Sequence, residues 1–277
     1  MTQVIEGDLQ KMRVRQQLDN SVTYDLICGE QVTPLNEHLG RRIRLVFSGR
    51  IHCIHCGKAT RKSFAQGFCF PCFRRLAQCD SCIMSPEKCH FQAGTCREPE
   101  WAKTHCQVPH IVYLANASGL KVGITRETQM PTRWIDQGAV QALPVFRVSE
   151  RRISGLLEEA LRAYVSDRTQ WQQMLKGNPE ILDLSKEAAS LREKVDACVN
   201  DLRLREGSAS VEIAQLPETV LRYPVLTYPG KIKSLNPEKT PTLEGELMGI
   251  KGQYLLLDTG CLNIRKHTGY HVTVTLD

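Results

Sequence analysis

Residues 110–139 read HIVYLANASGLKVGITRETQMPTRWIDQGA, and the fold turns on them. Two short apolar runs, 111–114 (Ile-Val-Tyr-Leu) and 120–124 (Leu-Lys-Val-Gly-Ile), flank Ala-Asn-Ala-Ser-Gly, the pattern of a β-hairpin closed by a glycine-containing loop. Alternation along a strand puts Ile111 and Tyr113 on one face, with Tyr113 across from Lys121 or Gly123. Past the second run the chain turns basic and helical, with Arg126, Arg133 and Trp134 ahead of Gly138. A phenol, an ammonium and a guanidinium thereby come within reach of one another. The plain alternative is a half-buried strand tyrosine beside a solvated arginine.

Downstream, 144–148 (Pro-Val-Phe-Arg-Val) reads as a third strand of the same sheet. A helix then opens near Glu150 or Arg151 and runs to Val165, its apolar positions 153, 156, 157, 160, 161, 164 and 165 marking one face. Glu158 sits at the edge of that face and Glu159 points further toward water.

This set of features resembles the GIY-YIG nuclease superfamily: an Ile-Val-Tyr strand, a short loop, a Lys-Val-Gly-Ile-Thr strand, an Arg ten residues after the glycine, and a helix carrying Leu-Glu-x-x-Leu. The likeness covers roughly residues 110–175. Set beside the cysteines upstream, 120–126 and 133–139 also resemble an uncharacterised bacterial family with an N-terminal cysteine-rich zinc block. The superfamily resemblance implies a compact three-stranded α/β sandwich that cleaves DNA or RNA phosphodiesters with one divalent metal, Mg2+ or Mn2+. By that resemblance Tyr113 would orient or deprotonate the attacking water, Arg133 would contact the scissile phosphate, and Glu158, or Glu159 one residue on, would hold the metal. Two positions depart from the pattern. Lys121 stands where the second motif has its tyrosine, and an ammonium can still reach phosphate or water. Gln137 stands where a histidine is common.

Upstream of the hairpin the cysteines take over, nine of the chain's 12 falling between Cys53 and Cys106. Cys53-x-x-Cys56 and Cys69-x-x-Cys72, 12 residues apart, have the spacing of a zinc ribbon, in which two knuckles complete one tetrahedron. His52 and His55 lie beside the first knuckle, but four sulfurs already suffice. Cys79, Cys82, Cys89, Cys96 and Cys106 lie beyond it, one more than a second zinc site needs. Both sites are expected to be structural, because this segment is poor in aliphatic residues and closed sulfur sites leave no position for water. Cys28, Cys198 and Cys261 are isolated and read as buried small hydrophobes.

The net charge of +6 is unevenly placed. No Asp or Glu occurs from His38 to Gln78, while Arg41, Arg42, Arg61 and Lys62 all fall there. Metal-bound thiolates neutralise part of that excess, and the rest, with Arg126, marks a nucleic-acid contact or a solvated basic face.

At both ends the pattern is that of short strands. Alternating runs at 22–27 and 42–47 build a small N-terminal β module. Runs at 221–226, 231–233, 245–248, 254–257 and 271–276, separated by turn residues, suggest a C-terminal barrel-like module. Glu6-Gly7-Asp8-Leu9 echoes Glu244-Gly245-Glu246-Leu247, and 38–45 echoes 267–274, at a level that chance also supplies.

The 277 residues thus divide as α+β into a β module (1–50), a zinc-binding cysteine-rich segment (51–107), a GIY-YIG-like domain (108–182), a helical linker (183–207) and a C-terminal β module (208–277). No apolar run approaches the roughly 20 residues that span a bilayer, and the first residues lack a signal-peptide pattern, so a cytoplasmic protein with reduced thiols and no membrane partner is expected. Two functions fit this plan: a zinc-stabilised nuclease, or a zinc-containing nucleic-acid-binding protein that keeps the fold without catalysis.

Overall fold

The hairpin forms as its pattern requires. In the computed structural model, which describes residues 2–277, strands His110–Asn116 and Leu120–Arg126 pair with Tyr113 opposite Gly123 and Ala115 opposite Lys121. Strand Gln141–Val148 pairs on the other side of His110–Asn116, and the short strands Val211–Ile213 and Thr219–Val220 extend it. The central strand alternates between two cores. Val112 and Leu114 face Leu157 and Leu161 of helix Arg151–Leu161, while Ile111, Tyr113 and Ala115 face a second core that holds Trp134 and Met174. The structure is therefore mixed α/β with antiparallel sheets and a cysteine-rich segment.

The two β modules expected at the ends are one body. Strands Gln3–Asp8 and Arg42–Ile51 interleave with Thr242–Lys251 and Tyr270–Leu276 in a six-stranded sheet that also takes in Tyr254–Leu257 and Gly260–Asn263. Arg13–Gln16, Val22–Cys28 and Gln31–Pro34 form a third, three-stranded sheet. A common core runs from Ile5 through Tyr24 and Leu45 to Leu247 and Val274. Strand runs read along the chain do not reveal which strands pair across more than 200 residues, and this is why the ends look separate in the sequence. Among the described residues the expected C-terminal barrel is also not found: the six-stranded sheet is an open path. Leu221 to Leu226 and Lys231 to Lys233 stay irregular, in a stretch where Pro224 and Pro229 lack the N–H a ladder needs.

The weak echo between the ends has a structural counterpart. Leu45 opposite Val274 lies at the centre of the sheet. On one side Gly7 pairs with Val272, and on the other Gly245 pairs with Ile43, so the register is matched residue for residue about a local two-fold. Both glycines lie against a following turn: a Cβ on Gly7 would meet the Gly29 backbone at 2.7 Å, and one on Gly245 would strike Asp258.

The helix expected from 184 to 204 is broken in two, Leu184–Lys194 and Asp196–Glu206, because Val195 leaves the helical conformation at φ −107°, ψ 8°. Among the described residues no helix is long and apolar enough to cross a membrane.

Candidate functional site

The pairing of Tyr113 with Gly123 sets the centre of the site. Gly123 has no Cβ because the tyrosine ring occupies that space: a methyl group there would lie 2.7 Å from both Cζ and the hydroxyl oxygen. Gly123→Ala should therefore lower stability by about 1–3 kcal/mol, read as a drop in Tm, since the ring is fully buried and cannot retreat. Tyr113 donates its hydroxyl to Gln137 Oε1 at 3.0 Å. Burial pushes the phenol above its usual range, against the pull of Arg133.

Lys121 is buried for a different reason. Val122 N–H donates to Ser166 O at 2.8 Å, so the chain after helix Arg151–Leu161 lies along the hairpin edge and covers the lysine stem. Its ammonium reaches Thr169 Oγ1 at 3.4 Å. Burial brings it down to about 8, with Arg133 adding to the push and Glu158 and Asp167 opposing it.

Lys121, Gly123, Arg133 and Glu158 all line one cleft of about 520 Å3, a size that suits a ligand. Arg133 comes from the short helix Thr132–Asp136, and Glu158 from Arg151–Leu161. Burial raises the Glu158 carboxyl, and the nearby Asp167 raises it further, while Lys121, Arg162 and Arg133 draw it back down. Of the two glutamates left open by the sequence, Glu158 faces the cleft and Glu159 is exposed to solvent.

The cleft is cationic, but its charge arises mainly outside the acid-free run. Lys11, Lys121, Arg126, Arg133, Arg151 and Arg265 line it against the carboxylates Asp136, Glu158 and Asp167. Asp136 is held by Lys11 at 2.5 Å, with Arg265 at 3.9 Å. Arg151 donates its backbone N–H to Cys106 O and its guanidinium to Ile83 O, both at 2.8 Å, which ties the cleft to the cysteine segment. Arg41, Arg42, Arg61 and Lys62 are exposed and do not line the cleft. Arg42 is paired across strands with Glu244 at 3.0 Å, a partner 202 residues away that a local charge count does not see.

The cysteines separate into two groups. Cys53, Cys56, Cys69 and Cys72 gather their sulfurs within 4.8 Å of one another and can hold a zinc ion. Each knuckle is set by its turn: Gly57 N–H donates to Cys53 O at 2.8 Å, and Pro71 starts a helix, Phe70–Arg75, that carries Cys72. Burial would raise the Cys53 thiol, but backbone N–H groups of Cys69, Cys56 and His55 outweigh it and hold it below its usual range. Cys82, Cys89, Cys96 and Cys106 surround a separate small cavity. Cys79, a candidate ligand by sequence, is not among its walls and packs against the first group instead. Cys28 and Cys261 are buried, the burial lifting each thiol to about 11, and Cys198 is half-buried.

A family model described as a protein of unknown function, DUF2797, matches residues 40–272. The chain belongs to the DUF2797 family. The matched span takes in both cysteine groups and every cleft cation except Lys11, so the cleft lies almost wholly within what defines DUF2797. No curated protein and no solved structure matches the chain.

Proposed function

We propose that this DUF2797 protein is a zinc-stabilised, GIY-YIG-like nuclease whose cationic cleft takes the phosphate backbone of DNA or RNA. The observation that carries the reading is that Lys121, Arg133 and Glu158, brought from a strand and two helices, line one cleft directly above the Tyr113–Gly123 pair. The excess of cations over carboxylates there suits a polyanion.

The roles differ from those the resemblance implies in one respect. Tyr113 is fully buried and its phenol is raised, so it is a poor base and serves to hold Gln137. Lys121, brought down to about 8, is the better base: near neutrality a fraction of it is unprotonated and can take the proton of the attacking water as the new P–O bond forms and the ester P–O bond breaks. Arg133 stabilises the charge that builds on the phosphoryl oxygens. Glu158, with Asp167 electrostatically coupled to it, would hold Mg2+ or Mn2+, which supplies positive charge to the phosphate.

A second reading, a nucleic-acid-binding protein without catalysis, is favoured by the engagement of Tyr113 with Gln137. One assay separates the two. Incubation with duplex, branched and single-stranded DNA and RNA in Mg2+ or Mn2+ is expected to give cleavage whose rate climbs with pH and levels off above about 8. The climb reflects loss of the Lys121 proton, and Lys121→Gln should remove it. Salt-dependent binding to the same panel with no cleavage under any condition would leave the binding protein and sink the nuclease.

A further inference from the structure

Asp8, His52 and His271 bring a carboxylate and two imidazoles together on the partly exposed face of the six-stranded sheet, away from the cleft. Three neighbouring strands position them. Asp8 pairs with His271 across the ladder, and His52 follows directly on Ile51, which pairs with Tyr270 on the other side. Ser48, Gly49 and Arg50 stand against His271 alone, and Ser48 Oγ donates to His271 O at 3.0 Å, a bulge of the kind that re-aims a side chain. His52 is fixed by its backbone N–H, which donates to Gly269 O at 2.8 Å, while a Cβ on Gly269 would strike His52 O.

The donor atoms converge on one point. Asp8 Oδ1 lies 2.8 Å from His52 Nδ1 and 3.0 Å from His271 Nδ1, close to the spacing of about 2.9–3.4 Å between ligands bound to one ion at about 2.0–2.1 Å. On its far side His271 Nε2 faces Glu6 Oε1 at 3.1 Å. A neutral imidazole carries one N–H, so it cannot donate to Asp8 and Glu6 at once. The arrangement asks for a cation at Nδ1, either a second proton or a metal ion. The local two-fold of the sheet shows the same rung satisfied in another way. Glu246 pairs with Arg42 as Asp8 pairs with His271, and Arg42 donates to Glu244 Oε1 at 3.0 Å where His271 meets Glu6. There the chain supplies a permanent cation. Here an imidazole replaces the guanidinium and a second imidazole, His52, is aimed at the same carboxylate, which makes a nitrogen and oxygen ligand set out of an ion pair.

We propose that Asp8, His52 and His271 bind a divalent transition metal ion such as zinc, at a site separate from the cysteines. Nδ1 of each imidazole and an Asp8 oxygen are the ligands, and a fourth position is left to water. Glu6 accepts the Nε2–H of His271, the contact by which a carboxylate orients a ligating imidazole. The three ligand side chains are between 19% and 37% exposed, so this ion exchanges with solvent more readily than one held by four thiolates. When bound it ties the first and last strands to the residue that precedes the Cys53 knuckle. The site lies outside the cleft and stands whether or not the cleft cleaves its ligand.

The full chain, with its cysteines already zinc-loaded, should take up about one further Co2+, giving visible d–d bands without thiolate-to-cobalt charge transfer in the near ultraviolet. Added Zn2+ should raise its Tm by a few degrees. His271→Arg copies the rung in the other half of the sheet, so it should keep the fold and the cysteine-bound zinc but lose both effects. His52→Gln should lose them too, and Glu6→Gln should bind the ion about 10–100-fold more weakly. The same Co2+ bands in His271→Arg as in the wild-type chain would overturn the site, as would a Tm that Zn2+ raises equally in both. Should the arginine variant fail to fold, 1H–15N spectra of the wild-type imidazoles decide: Zn2+ should shift Nδ1 of both His52 and His271, and signals that Zn2+ leaves in place would overturn the site in favour of protons alone.

Discussion

Exchanging Cys56 for alanine is expected to release about one zinc ion per chain and to unravel residues 53–76, with a large fall in Tm. The apolar core of this lobe is small, little more than Phe68, Leu76 and the sulfurs, with Phe73 packed against it. Metal binding in small thiolate sites is worth about 10–16 kcal/mol, most of it folding energy. Cys56 is the informative position because it is exposed whereas Cys53, Cys69 and Cys72 are buried. Its replacement leaves almost no cavity, so what is lost is ligation. Zinc content by mass spectrometry and new protease cleavage between 53 and 76 measure the outcome. Unchanged zinc and an intact segment would place the metal elsewhere. Strand Arg42–Ile51 and its sheet partners should survive, since their core lies in the interleaved ends of the chain.

How much of the molecule is legible in its sequence depends on the range over which each feature is determined. The Tyr113–Gly123 pair is readable because strand alternation and a short loop leave few registers, and the pairing is local. The CxxC knuckles are readable because their geometry is fixed within four residues. Arg151 stands at a helix start that the apolar spacing locates, although nothing in that spacing points it at a cleft. Lys11 and Arg265 are not legible. They reach the site only because the first and last strands share a sheet, a pairing with no local signature. For the same reason Arg42 looks unpaired until Glu244 is brought opposite it. The burial of Tyr113 is also hidden, because it depends on Trp134 edge-on at 5.9 Å and Gln137 arriving from the next helix.

Glu158→Gln is expected to reduce metal-dependent cleavage by at least about 10²–10³-fold while leaving the fold intact or slightly more stable. Its environment sets the sign. Burial and Asp167 hold the Glu158 carboxyl above its ordinary range, so its ionised form is penalised in the folded chain. A carboxyl raised in this way disfavours folding at pH values above its unfolded pKa, and the penalty is relieved as pH falls through the folded pKa. Glutamine keeps the shape and removes the charge, and with it the repulsion from Asp167, so Tm near neutral pH should hold or rise. A residue retained for packing or pairing would behave in the opposite way, losing stability when neutralised. Binding of the same nucleic acid in EDTA should be at least as tight, because one anion has left a cleft lined mostly by cations. Arg133→Ala provides the contrast: it should weaken both binding and cleavage, since a cation that contacts phosphate acts before and during bond breaking. If Glu158→Gln cleaves at the wild-type rate, Glu158 holds no metal, and if it instead lowers Tm by several degrees its carboxylate is a structural partner.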